Sequence, residues 1–202
     1  MPFSDVAHFL GFLRLSHYVA FIYPIIKKLT VLFFFIVMSQ RDMMACAQTG
    51  SGKTAAFLLP MIHKLLEESV DPHMGLPATP EVIVVSPTRE LAVQITKEAL
   101  KFAKGSKLGA YTVYGGTQVG YQRDRLREKN INIVVATPGR LLQFIRDDTI
   151  SLRNLMFFVL DEADRMLDMG FQVKNFVQPF VLALPWVFLK RCCHTLTTLF
   201  RI

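Results

Sequence analysis

Residues 43–54 read Met43-Met-Ala-Cys-Ala-Gln-Thr-Gly-Ser-Gly-Lys-Thr54, an apolar run of strand length that passes through a glycine-rich turn into a helical pattern. Glycines let consecutive backbone N–H groups turn inward around an anion, and the positive N-terminus of the following helix adds to the attraction. In this pattern the lysine, Lys53, reaches the β and γ phosphates of a nucleotide, and the Thr54 hydroxyl holds Mg²⁺. Ala47, Gln48, Thr49, Gly50, Ser51, Gly52, Lys53 and Thr54 are therefore the candidate nucleotide-binding residues. A glycine-rich turn matching by chance is the alternative, and the strand-to-helix context argues against it.

Downstream, strand-length apolar runs alternate with longer helical patterns as far as Phe171, the signature of a parallel sheet with crossover helices. The runs predict strands over 43–47, 82–86, 110–114, 131–136 and 156–160, and helices over 53–68, 90–103, 118–129 and 139–146. Pro60 is expected to kink the first of these helices. The fifth strand ends in Asp161-Glu-Ala-Asp164, so its first carboxylate falls at the C-terminal tip of a buried strand, where open α/β sheets bind ligands. Asp161 is placed to hold Mg²⁺ through water, and Glu162 to orient and deprotonate the water that attacks the γ phosphate. An acidic helix start favoured by the helix dipole would explain these four residues taken by themselves. The upstream loop decides for the catalytic reading, with ATP and Mg²⁺ as the expected ligands. No Asn-Lys-x-Asp signature occurs, which argues against a GTPase.

Charge and composition bound the rest. The formal charge is +7, but residues 1–41 carry +3 of it and residues 172–202 carry +4, so residues 42–171 sum to zero. The basic balance thus carries no argument for nucleic-acid binding by the motif-bearing segment. Cys46, Cys192 and Cys193 form neither a disulfide framework nor a zinc spacing, which fits a reducing compartment, cytoplasmic or nuclear with the cytoplasm favoured. At 202 residues the chain suits one domain with appendages and is too short for two full ATPase lobes. Eleven of the seventeen phenylalanines fall before Arg41 or after Phe171, marking both ends as compositionally distinct. The apolar stretch from Phe9 to Ile26 is broken by Arg14, His17 and Pro24, and the run from Leu29 to Met38 is too short to cross a bilayer. Neither a membrane segment nor a signal peptide is expected.

The wording of the middle segment, RDMMACAQTGSGKTAAFLLP, SPTRELAVQI, VYGGTQ, VVATPGRL and VLDEADRMLDMGF, resembles the DEAD-box ATP-dependent RNA helicases, their Vasa-like group in particular. The resemblance implies an α/β fold, a P-loop RecA-like parallel sheet with helices on both faces, incomplete at its C-terminal end. It divides the chain into an apolar segment 1–40 unlike the family, a helicase ATP-binding RecA-like domain over 41–171, and an apolar basic tail 172–202 unlike the family. It also implies that Pro87, Thr88, Arg89, Glu90, Gly115, Gly116, Thr137, Pro138, Gly139 and Arg140 line a path for RNA, contacting its sugar-phosphate backbone without reading sequence. Asp164 would couple the lobes, and helicase cofactors are possible further partners. The chemistry is consistent, since a guanidinium forks onto phosphate and helix starts or glycine turns present N–H groups to it. Taken singly, the same residues read as a strand-to-helix turn, a β-turn and a proline-initiated helix.

Three departures from the family matter. Thr30, about eleven residues before Arg41, stands where the family carries an adenine-reading glutamine. No Ser-Ala-Thr triplet follows Phe171; residues 178–202 read QPFVLALPWVFLKRCCHTLTTLFRI. In the family that triplet forms the strand between the ATP-loop strand and the DEAD strand, so a gap in the sheet is expected here. Val181–Leu189 is the nearest candidate to fill it, and Pro185 makes it a poor one. The second lobe, which supplies arginine fingers, is not found in these residues. The sequence therefore leads to a DEAD-box helicase fragment, an enzyme by family, that binds ATP-Mg²⁺ and RNA backbone and does not unwind RNA by itself. The alternative is a non-catalytic module that competes with a full-length helicase for RNA or a partner.

Overall fold

The structure, a computed structural model, describes residues 29–39, 43–45, 52–68, 74–169 and 188–190. Its strands are β1 (Met43–Ala45), β2 (Val82–Val85), β3 (Ala110–Val113), β4 (Ile133–Ala136), β5 (Phe157–Leu160) and β6 (Phe188–Lys190). They lie parallel in one sheet, in the order β1-β6-β5-β2-β4-β3. The helices are α1 (Leu29–Met38), α2 (Lys53–Glu67), α3 (Arg89–Phe102), α4 (Val119–Glu128), α5 (Pro138–Arg146) and α6 (Ala163–Asp168). Every strand and helix expected from the sequence is present within two residues of its expected bounds.

Side chains alternate across a strand, and the sheet uses the alternation to build two cores. Val82, Val84, Ile133, Val135, Phe157 and Val159 face α1, α2 and α3 through Phe33, Phe57, Met61, Ile62 and Ile95. Ile83, Val85, Val134, Ala136, Phe158 and Leu160 face α4, α5 and α6 through Leu126, Leu141, Phe144 and Met166. Strands buried on both faces read as continuous apolar runs, as these do.

Helix ends follow local chemistry. Thr88 caps α3 by accepting from the Leu91 N–H at 3.4 Å, with Glu90 in the first turn and Lys101 in the last. Pro138 opens α5, where a missing N–H costs no helical bond. Helix α2 continues through Pro60 from Lys53 to Glu67.

Two features differ from the sequence reading. Residues 29–38, read there as an apolar run ahead of the family-like segment, form α1, which packs on α2. Phe33 and Val37 join the core of α2 and α3, and Phe34 buries against Ala55 and Leu59 with its ring 5.4 Å from that of His63. A helix apolar all round is a buried helix. No helix among the described residues is long and apolar enough to cross a membrane, and Phe9–Ile26 lies outside them. The expected gap in the sheet is closed. Phe188–Lys190 pairs with Met43–Ala45 on one side and with Val159 and Leu160 on the other. The strand begins three residues after Pro185, so each of its members keeps the N–H that a central strand needs.

Phe34→Ala removes a fully buried ring from the contact between α1 and α2 and is expected to destabilise the chain by about 3–5 kcal/mol. A urea unfolding curve measures it, and a change within 0.5 kcal/mol, roughly the scale of a surface substitution, would show α1 to be peripheral.

Candidate functional site

A parallel sheet delivers all its C-terminal strand tips to one edge, and the sequence motifs lie there. The β1 tip leads to Gly52, which takes φ 77° and ψ 18° as the N-cap of α2. This left-handed conformation is what glycine tolerates and other residues resist. Lys53 and Thr54 follow as the first helical residues, both partly buried, and the first turn of α2 contains no acidic side chain to compete with an anion. Ala47, Gln48, Thr49, Gly50 and Ser51 lie outside the described residues.

The β5 tip carries Asp161, 5% exposed, whose N–H donates to the Val85 carbonyl at 2.8 Å. Glu162 follows with φ 54° and ψ 47°. A left-handed glutamate costs roughly 1–2 kcal/mol that a glycine would not. Glu162 Oε2 accepts from Arg165 Nη1 at 3.3 Å. Asp164, partly buried, sits in the first turn of α6.

The β2, β3 and β4 tips are bound to one another. Arg89 is exposed, with its guanidinium carbon 4.3 Å from the centre of the Tyr114 ring. This cation–π contact holds a positive group beside the Gly115-Gly116 turn. Both glycines are exposed with open space around them, and Gly116 takes φ 78°. The turn is pinned from behind. Gln122, 2% exposed, donates to the Tyr114 carbonyl at 2.9 Å and accepts from the Tyr114 N–H at 3.2 Å. Thr137 Oγ1 accepts from the Gly115 N–H at 3.4 Å instead of capping α5.

Pro87 is buried, Thr88 partly buried, and Glu90 and Gly139 are exposed. Arg140 is 7% exposed; its Nη2 donates to the Thr117 carbonyl at 2.9 Å and its guanidinium lies 5.5 Å from the Phe144 ring. It braces the glycine turn from inside the fold. Gln122 escaped the sequence reading, although a signal was present: it takes a core position of α4, between Val119 and Leu126, in a polar residue type. Among the described residues no group of three or more His, Cys, Asp or Glu could hold a metal ion. A Mg²⁺ held by one carboxylate, one hydroxyl, phosphates and water needs no such group, and Thr54 and Asp161 meet that requirement in kind.

These features define a parallel α/β lobe with a Gly-Lys-Thr helix start and a carboxylate pair at the tips of strands that β6 separates. Comparison with known proteins narrows the class: the profile of the DEAD/DEAH box helicase family matches residues 31–177, and the chain belongs to that family. The matched range begins within α1 and ends beyond Phe171. The chain is 56% identical over 136 residues to ATP-dependent RNA helicase vasa of Drosophila melanogaster, covering 67% of this chain and 20% of that protein. It is 49% identical over 143 residues to the probable ATP-dependent RNA helicase DDX4 of Homo sapiens, covering 67% and 19%. Among solved structures it is similar to a DEAD box protein from Methanococcus jannaschii, with TM-score 0.70, 34% identity, and 85% of this chain and 45% of that one covered. It is likewise similar to the RNA helicase Prp28 from Chaetomium thermophilum bound to ADP, with TM-score 0.74, 31% identity, and coverage of 94% and 44%. The chain spans about a fifth of the length of the curated relatives it matches.

Gln122→Leu keeps the volume but leaves the N–H and carbonyl of Tyr114 without their partner. It is expected to destabilise the chain by about 1–3 kcal/mol, read from the midpoint of urea unfolding.

Proposed function

We propose that these residues form the ATP- and RNA-binding lobe of an ATP-dependent RNA helicase. One observation carries the reading: the Gly52-Lys53-Thr54 helix start, the Asp161-Glu162 tip and the exposed groups of the β2, β3 and β4 tips share a single edge of one sheet. Helix α1 is counted with the lobe because its phenylalanines complete the core beneath α2.

The chemistry follows from the placement. Strands β1 and β5 are separated by β6, so their tips lie two strand spacings apart, about 9–10 Å. That leaves room for phosphates between Lys53 on one side and Asp161 on the other. Lys53 offsets the charge of the β and γ phosphates, while Thr54 and Asp161 supply the hydroxyl and carboxylate that would hold Mg²⁺. When bound, Mg²⁺ stabilises the charge on the transferring phosphoryl oxygens. Glu162 orients the attacking water and accepts its proton. The Arg165 guanidinium is exposed, so its ion pair with Glu162 contributes little to stability and can open when water must be activated. RNA backbone is held by the Arg89 guanidinium and by N–H groups of the α5 start and of the glycine turn beyond Gly115, whose own N–H is taken by Thr137, with Arg140 supporting the turn. Asp164 faces a second lobe in this reading.

A second reading, a non-catalytic module that competes with a longer helicase for RNA, is favoured by β6. Phe188-Leu-Lys190 stands between the β1 and β5 strands where the family has Ser-Ala-Thr, the strand that couples hydrolysis to RNA. RNA-stimulated phosphate release separates the two readings, because the module would show none.

Nucleotide binding is expected to depend on Lys53 and on Mg²⁺, since backbone amides cannot balance the charge of a triphosphate. Fluorescent ATP titrated into Lys53→Ala protein, and into wild-type protein without Mg²⁺, should bind markedly more weakly; equal binding would place the nucleotide elsewhere.

The isolated 202-residue chain is expected not to unwind RNA, because the γ phosphate would meet Lys53, Mg²⁺ and Glu162 but no arginine finger. Loss of such a finger costs about 10³–10⁵ in rate in related phosphoryl-transfer enzymes. A strand-displacement assay on a short RNA duplex with ATP tests it, with Glu162→Gln as the control for contaminating helicase. Displacement that vanishes in the control would require a catalytic arrangement other than this one.

A further inference from the structure

We propose that the buried hydroxyl of Ser86 links the nucleotide site to the RNA site within this lobe. Ser86 ends the apolar run of β2, is 0% exposed, and its Oγ has no hydrogen-bond partner among the described residues. A buried polar group left unpaired in a well-packed region calls for an explanation. Its place in the sheet provides one.

Val85 pairs with Ala136 on β4 and with Leu160 on β5. One residue further along, Ser86 therefore stands between Thr137 and Asp161. Backbone bonds fix it on both sides: the Ser86 N–H donates to the Ala136 carbonyl at 2.9 Å, and the Asp161 N–H donates to the Val85 carbonyl at 2.8 Å. Thr137 in turn accepts from the Gly115 N–H through its hydroxyl. The residue between the proposed metal ligand and the proposed RNA-contacting turn is thus a hydroxyl, which can donate and accept at once.

The link runs as a chain of donors. The Gly115 N–H donates to Thr137 Oγ1, the Thr137 hydroxyl donates to Ser86 Oγ, and the Ser86 hydroxyl donates to the Asp161 carboxylate. The first bond exists in the unliganded lobe. The other two form when RNA fixes the glycine turn and nucleotide with Mg²⁺ fixes Asp161. Each ligand orders one end of the chain and so favours the other, and coupling of this kind is reciprocal. The proposal rests on the nucleotide and RNA reading given above. It adds a route inside one lobe, independent of lobe closure and of the missing Ser-Ala-Thr strand.

The test measures the affinity of the full 202-residue chain for fluorescent ADP with Mg²⁺, with and without saturating single-stranded oligouridine, in wild-type and Ser86→Ala protein. Wild type is expected to bind the nucleotide about fivefold more tightly with RNA present, the lower end of typical allosteric coupling. In Ser86→Ala the ratio should fall to one, while each ligand bound separately keeps its affinity within about twofold. The Tm of the free variant should stay level or rise, because the substitution removes an unpaired buried hydroxyl. A wild-type ratio retained by the variant overturns the proposal, and so does a clear fall in its Tm, which would mark Ser86 as structural. Binding of both ligands with no coupling in wild type defeats this link and leaves the proposed function standing. Binding of neither defeats both.

Discussion

The structure depends on the burial of β2. All four of its side chains, Val82 to Val85, are fully buried, and it is hydrogen-bonded in parallel register to β4 on one side and β5 on the other. A parallel strand cannot be joined to its neighbour by a tight hairpin; each connection must cross a face of the sheet, usually as a helix. Both faces are thereby covered, and every chain segment leaving the sheet does so at the same edge. The site is a consequence of that constraint. Motifs far apart in sequence, at Lys53, Arg89, Gly115, Thr137 and Asp161, come together because each lies on the connection that leaves the C-terminal end of a strand.

What was legible in the sequence and what was not divides along physical lines. The strands β2, β4 and β5 announce themselves as four-residue apolar runs, and the glycine loop and the DEAD tip carry chemistry in residue types at fixed spacing. Helix α1 was harder, because nine apolar residues out of ten, broken only by Thr30, have no period to distinguish a packed helix from a strand or an appendage. Strand β6 was harder still. Three residues have no periodicity, and their pairing with β1 joins segments at opposite ends of the chain. Pro185 drew attention to the wrong part of that tail, since the strand forms beyond it. The roles of polar residues were legible by type but not by direction. Arg89 and Arg140 read alike as phosphate-facing arginines, yet Arg89 is exposed over Tyr114 while Arg140 is turned inward to Thr117. The direction of the Arg140 guanidinium is set by the glycine turn, whose Thr117 carbonyl accepts from it and which belongs to a different part of the chain, 23 residues away.

The two edges of the sheet show why function sits where it does. At the N-terminal edge, Asn132 bridges three strands: its Nδ2 donates to Glu81 Oε2 at 3.2 Å, and its Oδ1 accepts from the Gly109 N–H at 3.0 Å and from Asn130 Nδ2 at 3.2 Å. The Glu81 carbonyl accepts from the N–H groups of both Met156 and Phe157, and the Asn132 carbonyl accepts from those of Glu81 and Val82. Backbone approaches so closely there that a Cβ on Gly109 would lie 1.9 Å from the Asn130 carbonyl oxygen. That edge is a closed network, of the kind that rigidifies a fold.

The C-terminal edge is the opposite. Of the four buried side-chain atoms without a partner among the described residues, Ser86 Oγ, Thr117 Oγ1 and Arg140 Nη1 lie at this edge, and Arg123 Nε lies in α4. Of the two left-handed residues other than glycine among the described residues, Glu162 lies there and Asp148 lies between α5 and the start of β5. A sequence selected for stability alone would pair those atoms or replace them with apolar ones, as it has at the other edge. The closed edge holds the strands in register, and the rigidity it supplies lets the open edge keep unpaired buried groups in place.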